Sequence, residues 1–281
     1  MGCQQRRVTG ECVRLISYAQ PPLVEVVCGV LFEPLESLLM PHIGRLWELF
    51  RDDYPVCSER DHLLPVVEEY GDGPRELLAE MPSRPRAWFT QEEETRIIQV
   101  QRDRFLHNWK RYPADAEYPR YETLIVDFDA RYGEFRSFLD EHGLGTPRPL
   151  QYELTYVNHL VQGDGWTSLN DIGSVLPDLS WRDVESRFLP DAEGLFWKAA
   201  FRLPSARGRL HVQVVSVKRQ EDGQPTLRLD LTVRGMGRDI SESVRRDWFD
   251  EAHEWIVRGF ADLTDEGVQT TLWGKIDDTD C

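Results

Sequence analysis

The sequence predicts an α+β protein in which antiparallel sheet packs against long amphipathic helices. Three observations carry that prediction. The β signals are joined mainly by hairpins, two long stretches step at helical spacing, and strands do not alternate regularly with helices as a doubly wound parallel sheet would require. At 281 residues the chain has room for one or two domains, and 41% apolar residues with 9 Trp, 12 Phe and 9 Tyr are enough for an ordered core.

From Leu23 to Phe32 the chain reads Leu-Val-Glu-Val-Val-Cys-Gly-Val-Leu-Phe, a β-branched run behind Pro22 that fits a buried strand. Leu35, Leu39, Ile43, Leu46 and Phe50 then recur at helical spacing, with Pro41 set to kink or restart the helix. Residues 55–86 are rich in Pro, Gly and charge and read as a loop region holding at most one short helix. Ala87–Thr90 and Arg96–Trp109 suggest an antiparallel pair, the second read as one strand through Gln99-Val100-Gln101-Arg102-Asp103-Arg104-Phe105.

After Pro119, the residues Tyr121, Leu124, Phe128, Tyr132, Phe135 and Leu139 step by three or four until Gly143, predicting one long helix with a glycine stop. Such an aromatic stripe is a core face and no cofactor box. Gln151–Leu160 reads as a strand and 163–180 as a polar loop. Leu210–Lys218 and Thr226–Arg234 flank Glu221-Asp222-Gly223 as a hairpin. In its second arm Leu227, Leu229, Leu231 and Val233 oppose Arg228, Asp230, Thr232 and Arg234, so one face is buried. Asp239-Ile240-Ser241-Glu242 resembles a capping box opening a last helix with Phe249, Ala252, Ile256, Phe260 and Leu263 on its apolar face. The recurrence of strand then long helix suggests two similar halves, 20–148 and 149–281, behind a disordered tail, 1–19.

Charge is the strongest compositional signal. With 33 basic against 49 acidic residues the net charge is −16 and the pI near 4.9. That field repels phosphate backbones and favours a basic protein partner, so nucleic acid is disfavoured. No apolar run approaches the roughly 18 residues of a membrane span, so no membrane is expected. Five scattered cysteines without a Cys-x-x-Cys pair encode neither a zinc site nor a disulfide framework, which fits a reducing cytoplasm.

No phosphate loop, Gly-x-Ser-x-Gly elbow or His-Glu-x-x-His pair occurs, so the sequence leans away from an enzyme and assigns no catalytic residue, metal ligand or cofactor. Two polar stretches stand out. Gln99, Gln101 and Asp103 share one face of the strand read above, with Arg102 and Arg104 on the other. In Thr155-Tyr156-Val157-Asn158-His159, Tyr156 and Asn158 share a face. His159 suits proton transfer by its ordinary pKa, but a lone strand histidine is more often structural. Asp250, His253 and Glu254 fall on one side of a helix and could ligate a metal, although such faces are mostly solvated. Gln99, Gln101, Arg104, Asn108, Arg120, Tyr156 and Asn158 form a candidate cleft for a nucleotide-like ligand, since amides and arginines recognise base edges and phosphates.

Several of these stretches together resemble a sporadically distributed prokaryotic family with no assigned activity. The residues are Pro22–Val30, Gln99–Phe105 with Asn108-Trp109, Tyr118-Pro119-Arg120-Tyr121-Glu122 and Thr155–Asn158. Further ones are Trp248-Phe249-Asp250 with Ala252-His253, Phe260–Thr264 and Trp273-Gly274. The resemblance implies a prokaryotic cytoplasmic protein. Patchy occurrence is typical of defence and toxin-neutralising loci, so it also implies an accessory or neutralising component of such a locus, acting by recognition and not by catalysis. The alternative is an enzyme or sensor for the nucleotide-like ligand.

Overall fold

The computed structural model describes residues 16–68, 75–76, 85–112, 116–182, 188–204, 208–236 and 241–276. Its frame is one nine-stranded sheet, antiparallel throughout. The five strands from the first part of the chain are β2 (Leu23–Phe32), β3 (Val56–Arg60), β6 (Arg86–Thr90), β7 (Arg96–Gln101) and β8 (Arg104–Lys110). The other four are β9 (Pro149–Val161), β10 (Phe196–Arg202), β11 (Gly208–Lys218) and β12 (Pro225–Gly235). Their order is β10-β11-β12-β9-β2-β8-β7-β6-β3, so β9 and β2 join the two parts of the chain within one sheet. Two short pairs lie outside it: β1 (Ser17–Tyr18) with β13 (Lys275–Ile276), and β4 (Val66–Val67) with β5 (Arg75–Glu76).

Among the described residues four α-helices complete the fold: α1 (Met40–Phe50), α2 (Tyr121–Glu141), α3 (Glu242–Leu263) and the short α4 (Glu266–Thr271). The first three lie on one face of the sheet. Phe128 and Phe135 of α2 meet Phe105 of β8 at centroid distances of 6.4 and 5.1 Å, and Trp248 of α3 meets Tyr152 of β9 at 5.5 Å. From α1, Phe50 reaches Phe89 of β6 at 6.2 Å. The reason lies in the alternation along each strand. Val26, Cys28 and Val30 of β2, Tyr152, Leu154 and Tyr156 of β9, and Leu227, Leu229, Leu231 and Val233 of β12 all point to this side and are buried. Six stripe residues of α2, from Tyr121 to Leu139, are buried with them. So are Phe249, Ala252, Ile256, Phe260 and Leu263 of α3.

Several local expectations change. Pro41 restarts the helix: α1 begins at Met40 with proline in its first turn, where a missing N–H costs nothing. The run 99–105 is not one strand. It folds back at Arg102-Asp103, so Gln101 pairs with Arg104 and the two share a face. Backbone bonds from Phe32 N to Asp103 O and from Leu35 N to Arg102 O brace this two-residue turn. The alternation across it is reset, which a period-2 reading through the turn misses. Residues 56–60 form an edge strand, because Glu59 and Arg60 suit a solvated sheet edge as well as a loop. The cap of α3 is Ser241, whose hydroxyl accepts from Val244 N; Asp239 and Ile240 lie outside the described residues. So do residues 1–15 of the expected tail and Tyr70–Pro74 of the expected loop.

Gly223 sits at φ +74° in the β11–β12 turn, a conformation a side chain would strain, and its N–H closes the turn on Arg219 O. No helix among the described residues is long and apolar enough to cross a membrane.

Candidate functional site

The residues singled out by sequence part onto two sides of the sheet. Tyr156 and Asn158 point to the helices, and Arg120 stands just before α2. Gln99, Gln101, Arg104 and Asn108 lie on the opposite face, here called the distal face. The structure therefore does not assemble one cleft from all seven. Period-2 alternation predicts the split within β9, but nothing in the sequence says which face of β9 matches which face of β7.

On the helix side, the aromatic residues close on each other. Tyr156 Oη lies 3.1 Å from Tyr118 Oη and 3.0 Å from His253 Nδ1. The His253 ring stacks on Tyr121 at 4.1 Å and 6°. Tyr121 Oη donates to Asp250 at 2.9 Å, and Arg246 and Arg245 tie Asp250 and Asp129 so that α2 and α3 are bolted together. Asn158 donates to the Leu229 carbonyl, and Arg120 donates to Tyr18 O at 3.2 Å. Arg120 holds φ 67° and ψ 155°, a region almost reserved for glycine, so its backbone is strained where β1 meets α2.

Burial sets the protonation states here. It pushes the Tyr118, Tyr121 and Tyr156 phenols and the Cys28 thiol up, and pulls His253 from 6.5 down to about 3. Every one of these five groups is held neutral at pH 7. His107, under α1, is likewise pulled from 6.5 to about 3 by burial and by Arg96 and Arg131, and bonds Tyr54 Oη at 3.1 Å. Asp250, His253 and Glu254 are engaged with Tyr121, Tyr156 and Arg258 respectively. Among the described residues no group of three His, Cys, Asp or Glu side chains could hold a metal.

The distal face is built differently. A hydrogen-bond ladder crosses four strands. Arg86 Nη1 donates to Gln99 Oε1 at 2.7 Å, Gln99 Nε2 to Asn108 Oδ1 at 2.7 Å, and Asn108 Nδ2 to Glu25 Oε1 at 2.7 Å. Gln99 and Asn108 are buried, so these bonds satisfy amides that would otherwise be stranded. At the hairpin end Gln101 and Arg104 both bond Asp103. Further along, Glu153 pairs with Arg234 at 2.5 Å, Thr155 with Thr232 at 2.9 Å, and Arg228 with Asp230 at 2.9 Å. His159 stands opposite Arg228, and burial together with that guanidinium lowers its pKa.

A strap formed by residues 61–68 crosses one end of this face. Two glutamines clamp it at two points each, imitating a neighbouring strand. Gln101 accepts from Leu63 N and donates to Leu63 O, both at 3.0 Å, while Gln151 accepts from Glu68 N and donates to Val66 O, both at 2.9 Å. The strap ends where the Glu68 carboxylate meets Arg209 at 2.6 Å and His211. Burial works to raise the Glu68 pKa, but bonds from His211 and Arg209 outweigh it and hold the carboxylate below its ordinary value.

Sequence reasoning reached four residues of this face and missed Arg60, Arg86, Trp88, Glu68, Gln151, Arg209 and His211. Arg60 and Glu68 fall in the stretch read as loop, and Gln151 looks like a strand's polar first residue. Arg209 and His211 alternate with Leu210 and Val212, a signal that was available. A separate groove between α1 and α2 is lined by Arg45, Glu48, Leu49, Glu134 and Glu141. There Glu48 and Glu134 are already paired with Arg51 and Arg131.

The class defined by this geometry is an antiparallel sheet with helices on one face and a polar lattice on the other. Compared with the models of known protein families, with curated proteins and with solved structures, the chain gives no significant match.

Proposed function

We propose that this chain is a non-catalytic recognition protein that uses the distal face of its sheet as its working surface. The observation that carries the reading is the division of polar chemistry. On the helix side the buried tyrosines and histidines are held neutral and engaged with one another. On the distal face, charged and amide groups form a lattice from β6 to β11. A lattice of fixed donors and acceptors recognises; it supplies no activated nucleophile.

The net charge of −16 and the missing catalytic motifs support a protein partner, basic in its own net charge. With the sequence resemblance they support an accessory or neutralising role in a prokaryotic defence or toxin–antitoxin locus. A reducing cytoplasm suits the free thiols of Cys28 and Cys57. The succession of β8 with α2 and β12 with α3 supports two similar halves built around long amphipathic helices. The test is co-purification of the full chain from the cells that make it. A stoichiometric partner released by Arg228→Glu supports the reading, and a chain that elutes alone counts against it.

The second reading is a sensor for a small nucleotide-like ligand. It is favoured by one observation: Gln99, Gln101, Arg104 and Asn108 stand on adjacent strands of one face.

A further inference from the structure

Strand register brings like charges together at the β3–β6 edge of the distal face. Arg60 stands directly opposite Arg86. One step past the Ala87–Val100 pair, Arg86 comes abreast of Gln101, which itself faces Arg104. The neighbouring row holds Trp88. The guanidinium carbons of Arg60 and Arg86 lie 4.8 and 5.4 Å from its ring centroid, and Lys110 Nζ lies 6.0 Å away. Three cations thus gather around one indole in a chain of net charge −16.

Like charges opposed across a sheet destabilise it, and the carboxylates nearby do not cancel them. Asp103 is bonded to Arg104, Glu25 faces Lys110 across β2–β8 while accepting from Asn108, and Asp61 acts on Arg86 through space. Arg86 has no ion pair among the described residues; its one bond is to Gln99 Oε1. The ladder from Gln99 to Glu25 therefore fixes Arg86 by Nη1 and leaves its other N–H groups without a bond among the described residues. Arg86 Nε and Trp88 Nε1 are both buried donors with no partner among the described residues. Burial, Arg104 and Arg60 together pull the Arg86 pKa below its ordinary value, as expected where a counter-charge is missing.

We propose that Arg60, Arg86, Trp88 and Lys110 form a binding site for the phosphate group of a small soluble ligand. The cations supply the counter-charge, and Arg86 Nε and the indole N–H are its directed donors. Phosphate is favoured over a single carboxylate because a divalent, multi-oxygen anion matches several cations and at least two separate donors. Arg60 lies over the indole, so the ring is a donor and a wall and no base stacks on it without displacing the arginine. Gln99 and Asn108 are positioning residues. The inference deepens the second reading above and rests on the distal face being the working surface.

The test is calorimetric titration of the full-length protein at physiological salt with inorganic pyrophosphate, with citrate as the carboxylate counter-probe and a short single-stranded oligonucleotide as the polymer counter-probe. The expected result is one saturable pyrophosphate site, at least tenfold tighter than citrate. Arg86→Gln should weaken it at least tenfold and Trp88→Phe, which removes the N–H donor and shortens the aromatic wall, severalfold. Arg136→Gln on α2 should leave it unchanged. No saturable pyrophosphate binding overturns the proposal. So does binding that survives both Arg86→Gln and Trp88→Phe, or equal affinity for citrate. An oligonucleotide that binds tighter than pyrophosphate and is lost with Arg86→Gln overturns the small-ligand assignment. The protein-recognition reading fails separately: a chain that takes up pyrophosphate but brings down no partner keeps this site and loses that reading.

Discussion

The two faces of the sheet solve the problem of polar residues in opposite ways. Between sheet and helices, Tyr118, Tyr121, Tyr156, Asp250 and His253 bond or stack on one another within an apolar shell. On the distal face the lattice is as dense, yet around Trp88 donors are left over and cations face each other. The helix side also holds one buried donor without a partner among the described residues, Arg245 Nε, so what separates the two faces is the opposed like charge of Arg60 and Arg86 beside Trp88. The difference predicts the larger stability effects on the first face and supports the proposed recognition role of the second.

The largest effects should come from the helix side. Phe128 is fully buried against Phe105, Tyr132 and Phe249, and Phe128→Ala should cost about 3–5 kcal/mol in denaturant melts. Leu229→Ala, on the buried side of β12, should cost about 2–5 kcal/mol. Its neighbour Arg228 has a half-exposed side chain paired with Asp230, so Arg228→Ala should cost under about 1 kcal/mol. Equal losses for the last two would show β12 buried on both faces and would break the comparison.

Removing one hydroxyl gives the next effect. Tyr156→Phe strands Tyr118 Oη and His253 Nδ1 in the interior and should cost about 1–3 kcal/mol. A neutral result would mean that this network is not what orders the helix side.

Acid should act through the same interior. His107 and His253 have native pKa values near 3 against an ordinary 6.5, so between those values the unfolded chain binds more protons than the native one. Their contribution is complete above pH 6.5 and is lost as pH falls toward 3, with a slope of up to about 1.4 kcal/mol per pH unit for each histidine. Stability measured from pH 7 to 4 should therefore fall before most carboxylates titrate, and His253→Gln should flatten the slope. An unchanged slope in that variant would contradict the burial argument.

The smallest effect belongs to the strap. Gln151→Ala removes both clamps on Val66 and Glu68, and amide exchange over 61–68 should speed while α2 and α3 stay protected. Because the Glu68 carboxylate titrates below its ordinary 4.5, its hold on Arg209 and His211 is present above that pH and fails as pH drops below it.

How far the sequence shows this division depends on the signal. The α2 and α3 faces, the β2 and β9 strands and the β11–β12 hairpin are readable because apolar period is a local property. The Arg102-Asp103 turn is not, since charged residues at a two-residue turn look like the polar side of a strand. Arg60 meets Arg86 only through pairing of strands 26 residues apart in sequence, and Gln99 reaches Asn108 only through the hairpin. Cross-strand register is a tertiary property, so the grouping of Gln99, Gln101, Arg104 and Asn108 was legible from their closeness in sequence while Arg60, Arg86 and Trp88 beside them were not. Tyr156 and Asn158 illustrate the converse. They read as site residues by chemistry, and β9 buries both on the helix side of the sheet.

The central claim, that the distal face recognises a protein partner, is tested most directly by paired charge reversals in a co-purification from the cells that make the protein. Arg228→Glu lies on the distal face and Arg258→Glu on the exposed side of α3, and both chains should fold. The account predicts a stoichiometric partner that co-elutes with the wild-type chain and with Arg258→Glu and is lost with Arg228→Glu. A partner lost with Arg258→Glu but retained by Arg228→Glu, or no partner at all, would contradict it.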